Sequence, residues 1–264
     1  MNLEKINRNM RGTWAGKTVH FAAEITSTND WLKTLAKEGA KEGTLCLADH
    51  QSAGKGRLGR TWSEPAGTAV TMSLLLRPAF SPEKAAMLTL VMGLAVSQAL
   101  EGMGFFTTIK WPNDVVLDKK KVCGILTEMS VREDGRIDYV IIGVGINVNV
   151  PSFPQELEDK ATSLFLQTGS PCSREEVICR VMKAFEDDYE AFCRAEDMSL
   201  LKKAYEKRLA NLGQPVRVLD HEQPYEGICE GITPLGELCV KKEDGTLSLV
   251  RSGEVSVRGL YSYV

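Results

Sequence analysis

Between Thr107 and Asn149 the chain alternates apolar runs with polar turn clusters, at a spacing that suits antiparallel strands and little else. Strands are predicted near 107–111, 114–118, 121–130 and 136–149, with turns at Asp118-Lys119-Lys120 and Glu133-Asp134-Gly135. A parallel neighbour would need a crossover of about a dozen residues or more, so these strands form a β-meander. Such a sheet buries a face only against other elements, here helices elsewhere in the chain.

Those helices are legible. Ser27-Thr28-Asn29 offers cap side chains for a helix to about Lys37, with Gly39 placed to end it. Ser81-Pro82-Glu83 supplies a cap, a proline for the first helical position and an acid for the first turn of a helix reaching about Glu101. Two more helices are predicted near 173–195 and 198–210, and strands at 18–25, 44–50 and 68–77. After Asn211-Leu212-Gly213 the pattern changes to short strands: 215–219, 225–232, 236–242, 246–251 and 254–258. These read as a small SH3-like barrel. The expected organisation is an N-terminal extension over 1–17, a main domain over 18–211 and a small domain over 212–264.

Composition removes several classes. A formal net charge of −3 argues against a general nucleic-acid coat. The seven cysteines are odd in number, scattered and without a C-x-x-C, so they read as thiols of a reducing compartment. The start of the chain carries no apolar signal core. No apolar run approaches the ~20 residues of a membrane helix. A cytoplasmic protein without a membrane partner is expected.

Chemistry concentrates in five stretches. Gln51 to Trp62 (QSAGKGRLGRTW) joins two predicted strands, so it is not a strand-to-helix phosphate loop, and it lacks the G-K-[ST] ending. Its glycines let backbone amides approach an anion, and Lys55, Arg57 and Arg60 add three cations within six residues. Such a loop suits a reaction that brings two anions together against Coulomb repulsion; it is equally the composition of a solvated surface turn. In Lys110-Trp111-Pro112-Asn113-Asp114, the proline interrupts the ladder and leaves a carboxylate at a bend, where it holds Mg2+ on phosphates or merely closes an Asx turn. Lys121 precedes the apolar strand of K-V-C-G-I-L-T-E, with Gly124 leaving room beside it. Gly143-Val144-Gly145-Ile146-Asn147 lacks the third glycine and the helix of a dinucleotide site, so its glycines read as points of close approach and Asn147 as an amide able to read a base edge. Ser27-Thr28-Asn29 adds hydroxyls and an amide beyond its capping role.

Taken in order and wording, these stretches resemble the biotin–protein ligase family: S-T-N, Q-x-A-G-[KR]-G-R-x-G-R-x-W, K-W-P-N-D, K-x-x-G-I-L-x-E, G-x-G-I-N, and Gly253 to Arg258 (GEVSVR). The resemblance covers about residues 18–260. It implies an α+β fold, a class II synthetase-like, antiparallel-rich catalytic domain with a C-terminal SH3-like barrel, and a ligase that turns biotin and ATP, with Mg2+, into biotinyl-5′-AMP. The biotinyl group then passes to a lysine of a biotin carboxyl carrier protein. By the same resemblance, Ser27, Thr28 and Gln51 bond biotin, with Asn29 beside them. The loop containing Gly54, Lys55, Gly56, Arg57 and Arg60 closes over biotin and adenylate. Trp62 flanks the adenine. Lys121 meets the biotin carboxylate and the α-phosphate, and Gly124 lines the biotin pocket. Asp114 stands nearest Mg2+ and the acceptor amine, with Lys110 and Asn113 around it. Asn147 reads adenine, and Glu254 and Arg258 reach in from the small domain. Lys55 stands where many relatives carry Arg. Regulatory members carry a winged helix-turn-helix ahead of S-T-N, and the residues before Ser27 are too few for one, so DNA binding is not expected. A homodimer through sheet edges is an arrangement the resemblance allows. Lipoate- or octanoate-protein ligation and non-catalytic biotin sensing are the competing readings.

Overall fold

The computed structural model describes residues 1–219, 224–251 and 256–259. Its main sheet has seven strands: β1 Thr18–Ile25, β2 Thr44–Gln51, β3 Val70–Leu76, β4 Thr107–Lys110, β5 Asp114–Leu117, β6 Lys120–Val131 and β7 Ile137–Ile146. They lie in the order β1-β2-β3-β7-β6-β5-β4. Only β1 and β2 run parallel; every other neighbour is antiparallel, and β4 to β7 form the expected meander. The β5–β6 turn places Asp118 at φ 49° and Lys119 at φ 61°, both in the left-handed region of a tight hairpin whose twist matches its strands.

Alternation along the strands divides the core in two. Leu45 and Leu47 of β2, Leu74 and Leu76 of β3, and Val140 and Ile142 of β7 face one large cluster. Cys46, Leu75, Tyr139 and Ile141 face the other way, onto Leu32 and Ala36 of helix α2 (Thr28–Lys37). Helices α3 (Leu88–Glu101) and α5 (Arg174–Ala195) pack together on the first face. With both faces covered, β3 is buried at all its residues, which is why its sequence reads as an almost unbroken apolar run. Arg77 fixes the end of α2 to the sheet, donating to the carbonyls of Ala36 at 2.8 Å, Ala40 at 3.0 Å and Asp138 at 3.0 Å.

Some elements differ from the sequence expectation. The helix predicted from Ser81 begins as a 3-10 turn over Pro82–Met87 and becomes α3 at Leu88. Together they form a 20-residue stretch long and apolar enough to cross a membrane, but its 18-residue window of mean hydropathy 1.2 is 78% buried inside the protein, as in a core helix. Residues 1–17 carry helix α1 (Leu3–Asn9), whose Ile6 is fully buried and which packs on α5. A short helix, α4 (Leu164–Thr168), was not expected; Ser163 caps it by accepting from Leu166 N–H at 3.1 Å. The helix expected over 198–210 is reduced to α6 (Lys202–Glu206) because the chain beyond it covers the outer edge of β4. There Ile109 N–H donates to Arg208 O at 2.7 Å and Ala210 N–H to Ile109 O at 2.9 Å, so a strand edge that would otherwise be bare is satisfied.

The C-terminal strands β8 Pro215–Leu219, β9 Tyr225–Ile232, β10 Leu238–Lys241, β11 Leu247–Val250 and β12 Ser256–Gly259 form a second, antiparallel sheet in the order β11-β10-β9-β8-β12, as an SH3-like unit requires. Its β9–β10 turn docks on the main body. Trp111 Nε1–H donates to Gly236 O at 3.0 Å, and Met198 N–H to Pro234 O at 2.7 Å.

One substitution tests the packing of α3. A methyl group at Gly93 would meet only Ile109 Cγ2 and Ile125 Cδ1, both at 3.7 Å, an ordinary contact. Gly93→Ala should therefore stabilise the protein by about 0.5–1 kcal/mol through the lost entropy of a helical glycine. Thermal unfolding reads this directly, and a lower Tm would refute the packing described.

Candidate functional site

The α2 side of the main sheet is bare at one end. Gly143 and Gly145 of β7 and Gly124 of β6 share this side, because Gly124 pairs with Gly145, and Gly143 with Ser73. Side chains from outside the sheet rest directly on its backbone there. A Cβ at Gly143 would overlap the Asn29 amide, and one at Gly145 would overlap the Trp62 ring. At Gly124 it would come within 2.9 Å of Lys121 Nζ and 3.3 Å of Trp62. These glycines, found in the sequence as points of close approach, are the floor of a cleft.

The start of α2 forms one wall. Ser27, Thr28 and Asn29 are all buried. Ser27 holds the N-cap position, yet its side chain makes no capping bond. The backbone N–H and hydroxyl of Thr28 both donate to Gln51 Oε1, at 2.8 and 2.9 Å. The buried Ser73 hydroxyl lies 2.5 Å from Asn29 Oδ1 and 2.8 Å from Thr28 Oγ1. Asn29 Nδ2 donates to Glu128 Oε2 at 2.7 Å, and Lys33 Nζ donates to Glu128 Oε1 at 2.6 Å. The orientation of each polar group at the cleft floor is thus set by a neighbour.

The Gly-rich loop forms the roof. Its stem is closed by Gly56 N–H to Arg60 O at 2.7 Å and Trp62 N–H to Gly54 O at 3.0 Å, and its tip turns through Leu58 at φ 55°. Lys55 Nζ reaches Asp30 at 2.6 Å. Arg57 donates to Asn113 Oδ1 at 2.8 Å. Burial pulls its guanidinium below its ordinary value, with Asp114 opposing, and it remains a cation at any physiological pH. Asn113 and Asp114 follow the cis Trp111–Pro112 peptide in the turn from β4 to β5. Asn113 Nδ2 donates to Ile125 O at 3.2 Å, and Asp114 pairs with Lys121 at 2.7 Å.

Of the residues the sequence singled out, Ser27, Thr28, Asn29, Gln51, Lys55, Gly56, Arg57, Trp62, Asn113, Lys121 and Gly124 line this cleft. Asp114 stands behind Lys121. Gly54 lies beneath the Trp62 carbonyl, where a Cβ would not fit. Arg60 is exposed and lines the groove on the far side of the loop. Lys110 is buried on β4, opposite Asp114 in the ladder and outside the cleft. Asn147 is also buried and outside it, donating to Thr162 O at 3.1 Å. Glu254 and the Arg258 side chain lie outside the described residues. Leu126, on the side of Gly124, adds an apolar side chain that the sequence reading did not single out; Met72, Ile125 and Val144 also border the cleft while belonging to the main core. That reading also gave no role to Ser73 or Glu128, though a serine inside β3 and the last residue of K-x-x-G-I-L-x-E were visible signals. The cleft is therefore floored by glycines and edged by cations, with Lys55, Arg57 and Lys121 in its lining. Among the described residues no group of three or more His, Cys, Asp or Glu side chains is placed to hold a metal ion.

The Asn29 seat can be tested without a ligand. Gly143→Ala displaces the Asn29 amide from Ser73 and Glu128, which should cost about 1–3 kcal/mol for buried polar groups left unpaired. Denaturant titration measures it, and an unchanged midpoint would show that the seat is dispensable.

Residues 21–147 match the biotin/lipoate A/B protein ligase family, and residues 212–258 match the biotin protein ligase C-terminal domain. A bifunctional ligase/repressor of Bacillus subtilis is 39% identical over 87% of this chain and 71% of its own length. A biotin–[acetyl-CoA-carboxylase] ligase of Mycobacterium tuberculosis is 33% identical over 90% of this chain and 88% of its own. The biotin protein ligase of Aquifex aeolicus, solved with biotin and ATP, superposes with a TM-score of 0.80 at 34% identity, covering 92% of this chain and 99% of that one. With its glycine floor, its cationic roof and its C-terminal sheet, the chain belongs to the biotin–protein ligase family.

Proposed function

We infer that this chain activates biotin with MgATP as biotinyl-5′-AMP and transfers the biotinyl group to a lysine of a biotin carboxyl carrier protein. The observation that carries the reading is the gathering of Lys121, Arg57 and Lys55 around a glycine-floored cleft whose polar wall is Thr28, Asn29 and Gln51. The wall suits the polar ring end of biotin, and the glycine floor with Leu126 its aliphatic chain. The cations stand where its carboxylate would meet a phosphate.

In the first half-reaction the carboxylate oxygen attacks the α-phosphorus, and pyrophosphate leaves. Two anions must approach, and fixed cations offset their repulsion in a site closed to water. Lys121 exchanges Asp114 for the reacting oxygens, since its ammonium already lies between that carboxylate and the cleft floor. Arg57, anchored on Asn113, holds the loop down over the mixed anhydride and limits its hydrolysis. In the second half-reaction the acceptor amine attacks the acyl carbon and AMP leaves. The amine must lose a proton, and Asp114, released by Lys121, receives or orients it. A single carboxylate, Asp114, with no cluster of acidic ligands around it among the described residues, suits Mg2+ that takes most of its ligands from phosphates and water. When bound there, the ion neutralises phosphate charge.

Two finer points belong to the same reading. All seven cysteines are free thiols, which supports a reducing, cytoplasmic setting. Beyond Gly124, β6 has no strand partner on its β5 side among the described residues, which supports pairing of two copies through that edge.

AMP release from MgATP, biotin and an apo-carrier domain tests the activity, with lipoate and octanoate as parallel acids. Biotin-dependent release with labelled carrier is expected; release with lipoate or octanoate alone would overturn the substrate. Lys121→Ala should slow adenylate formation by about a hundredfold or more, as loss of a charge aimed at the reacting oxygens does. Arg57→Ala should release the intermediate about tenfold faster, as loss of a closing contact does. A normal activation rate in the first variant, or normal retention in the second, would remove the assigned role.

A further inference from the structure

Glu64 sits two residues beyond Trp62, at the foot of the roof loop, and is 4% exposed. No arginine or lysine pairs with it among the described residues. Its Oε1 accepts from the Gln51 backbone N–H at a long 3.4 Å, and its Oε2 has no partner. Two other buried polar atoms nearby also lack partners: Trp62 Nε1 and His50 Nδ1. His50 and Gln51 end β2 and lead into the loop, and Trp62 leaves it. The carboxyl group therefore stands between the incoming and outgoing stems. Gln51 carries the polar wall through Thr28, and Trp62 covers the floor at Gly145.

We propose that Glu64 is a positioning residue for the activation step, bracing Gln51 and Trp62 so that the wall and roof of the cleft hold their spacing. The proposal rests on the ligase reading for the step it serves, and on geometry alone for the brace. A carboxyl group in this place has two working states. As the acid it needs little from its surroundings. As the anion it must draw on the donors within reach: the Gln51 N–H, the Trp62 indole N–H and His50, which is the titratable group facing it from β2. Cleft spacing then follows its ionisation.

Burial pushes the Glu64 carboxyl up from 4.5 to about 7, with the Gln51 N–H, His50 and Trp62 opposing. The folded state thus keeps a proton that the unfolded chain gives up, so stability falls as pH rises from about 4.5 to about 7. Replacing the carboxyl by a neutral amide removes that dependence.

The test compares wild type, Glu64→Gln and Glu64→Ala between about pH 6 and about pH 8.5, a range that spans the titration of a raised carboxyl. Three quantities are read: KM and kcat for biotin-dependent ATP–pyrophosphate exchange, intrinsic tryptophan fluorescence without substrates, and Tm. The Trp62→Phe variant assigns the fluorescence signal. The wild-type KM should rise about threefold or more with pH, with kcat changing less, as expected of ground-state positioning. Glu64→Gln should hold the acid-side KM throughout and lose the fluorescence titration, and its Tm should exceed that of wild type across the range, by a margin that grows up to about pH 7 and then levels. Glu64→Ala should raise KM at every pH; if it does not fold, wild type against Glu64→Gln still decides. Parallel KM and fluorescence profiles in those two proteins would overturn the proposal. A fluorescence titration present in wild type and absent from Glu64→Gln, with no exchange supported by any acid, would sink the ligase reading and leave the brace standing.

Discussion

The site depends on direct contact between side chains and bare sheet backbone. Gly124, Gly143 and Gly145 present no side chains, so Lys121, Asn29 and Trp62 occupy the space that ordinary strand residues would fill. This costs the strands, since glycine contributes nothing to cross-strand packing. The cost is offset on the opposite face, where Val140, Ile142, Val144 and Ile146 of β7 are buried in the main cluster. One face of β7 holds the fold while the other is left open for chemistry. Register matters more here than elsewhere, because a slip of one residue would turn that apolar set into the cleft.

A second layer of order comes from charge. Lys55, Asp30, Lys33, Glu128 and Asn29 form a chain of contacts that runs from the roof loop, along α2, to the floor. Lys121 and Asp114, and Arg57 with Asn113, do the same on the opposite wall. The cations are held in place by acids and amides, so their positions are set before a ligand arrives. Preorganisation of this kind is where such sites gain most of their rate.

Much of this was legible in the sequence because the signals were local. The meander followed from its turn clusters, α2 from its cap and Gly39, and the floor from glycines inside strands. The parts that were not legible depend on contacts between distant segments. Ser73 and Glu128 gain their roles only when β3 and β6 come to flank α2. The helix expected over 198–210 was shortened by a sheet edge almost a hundred residues earlier in the chain. Lys110 and Asn147 belong to the right motifs but do not line the cleft: the register puts Lys110 on the side of Gly124 but two strands further out, on β4, and Asn147 is held by the Thr162 carbonyl. Glu64 offered no pattern at all. Its interest lies in its burial, which no single-sequence rule reveals.

The contact between Lys55 and Asp30 has a consequence for timing. Both side chains are substantially exposed, at 46% and 39%, so the pair is worth no more than about 1 kcal/mol and weakens with salt. At this corner the roof yields to thermal fluctuation alone, while Arg57 on Asn113 anchors the other side of the loop. For a cleft that must admit a small acid and a nucleotide, let pyrophosphate out, and then receive a lysine from another protein, a firm latch would slow every exchange. The weak pair leaves passage to diffusion and reserves tight closure for the moment when a ligand's own charge completes it.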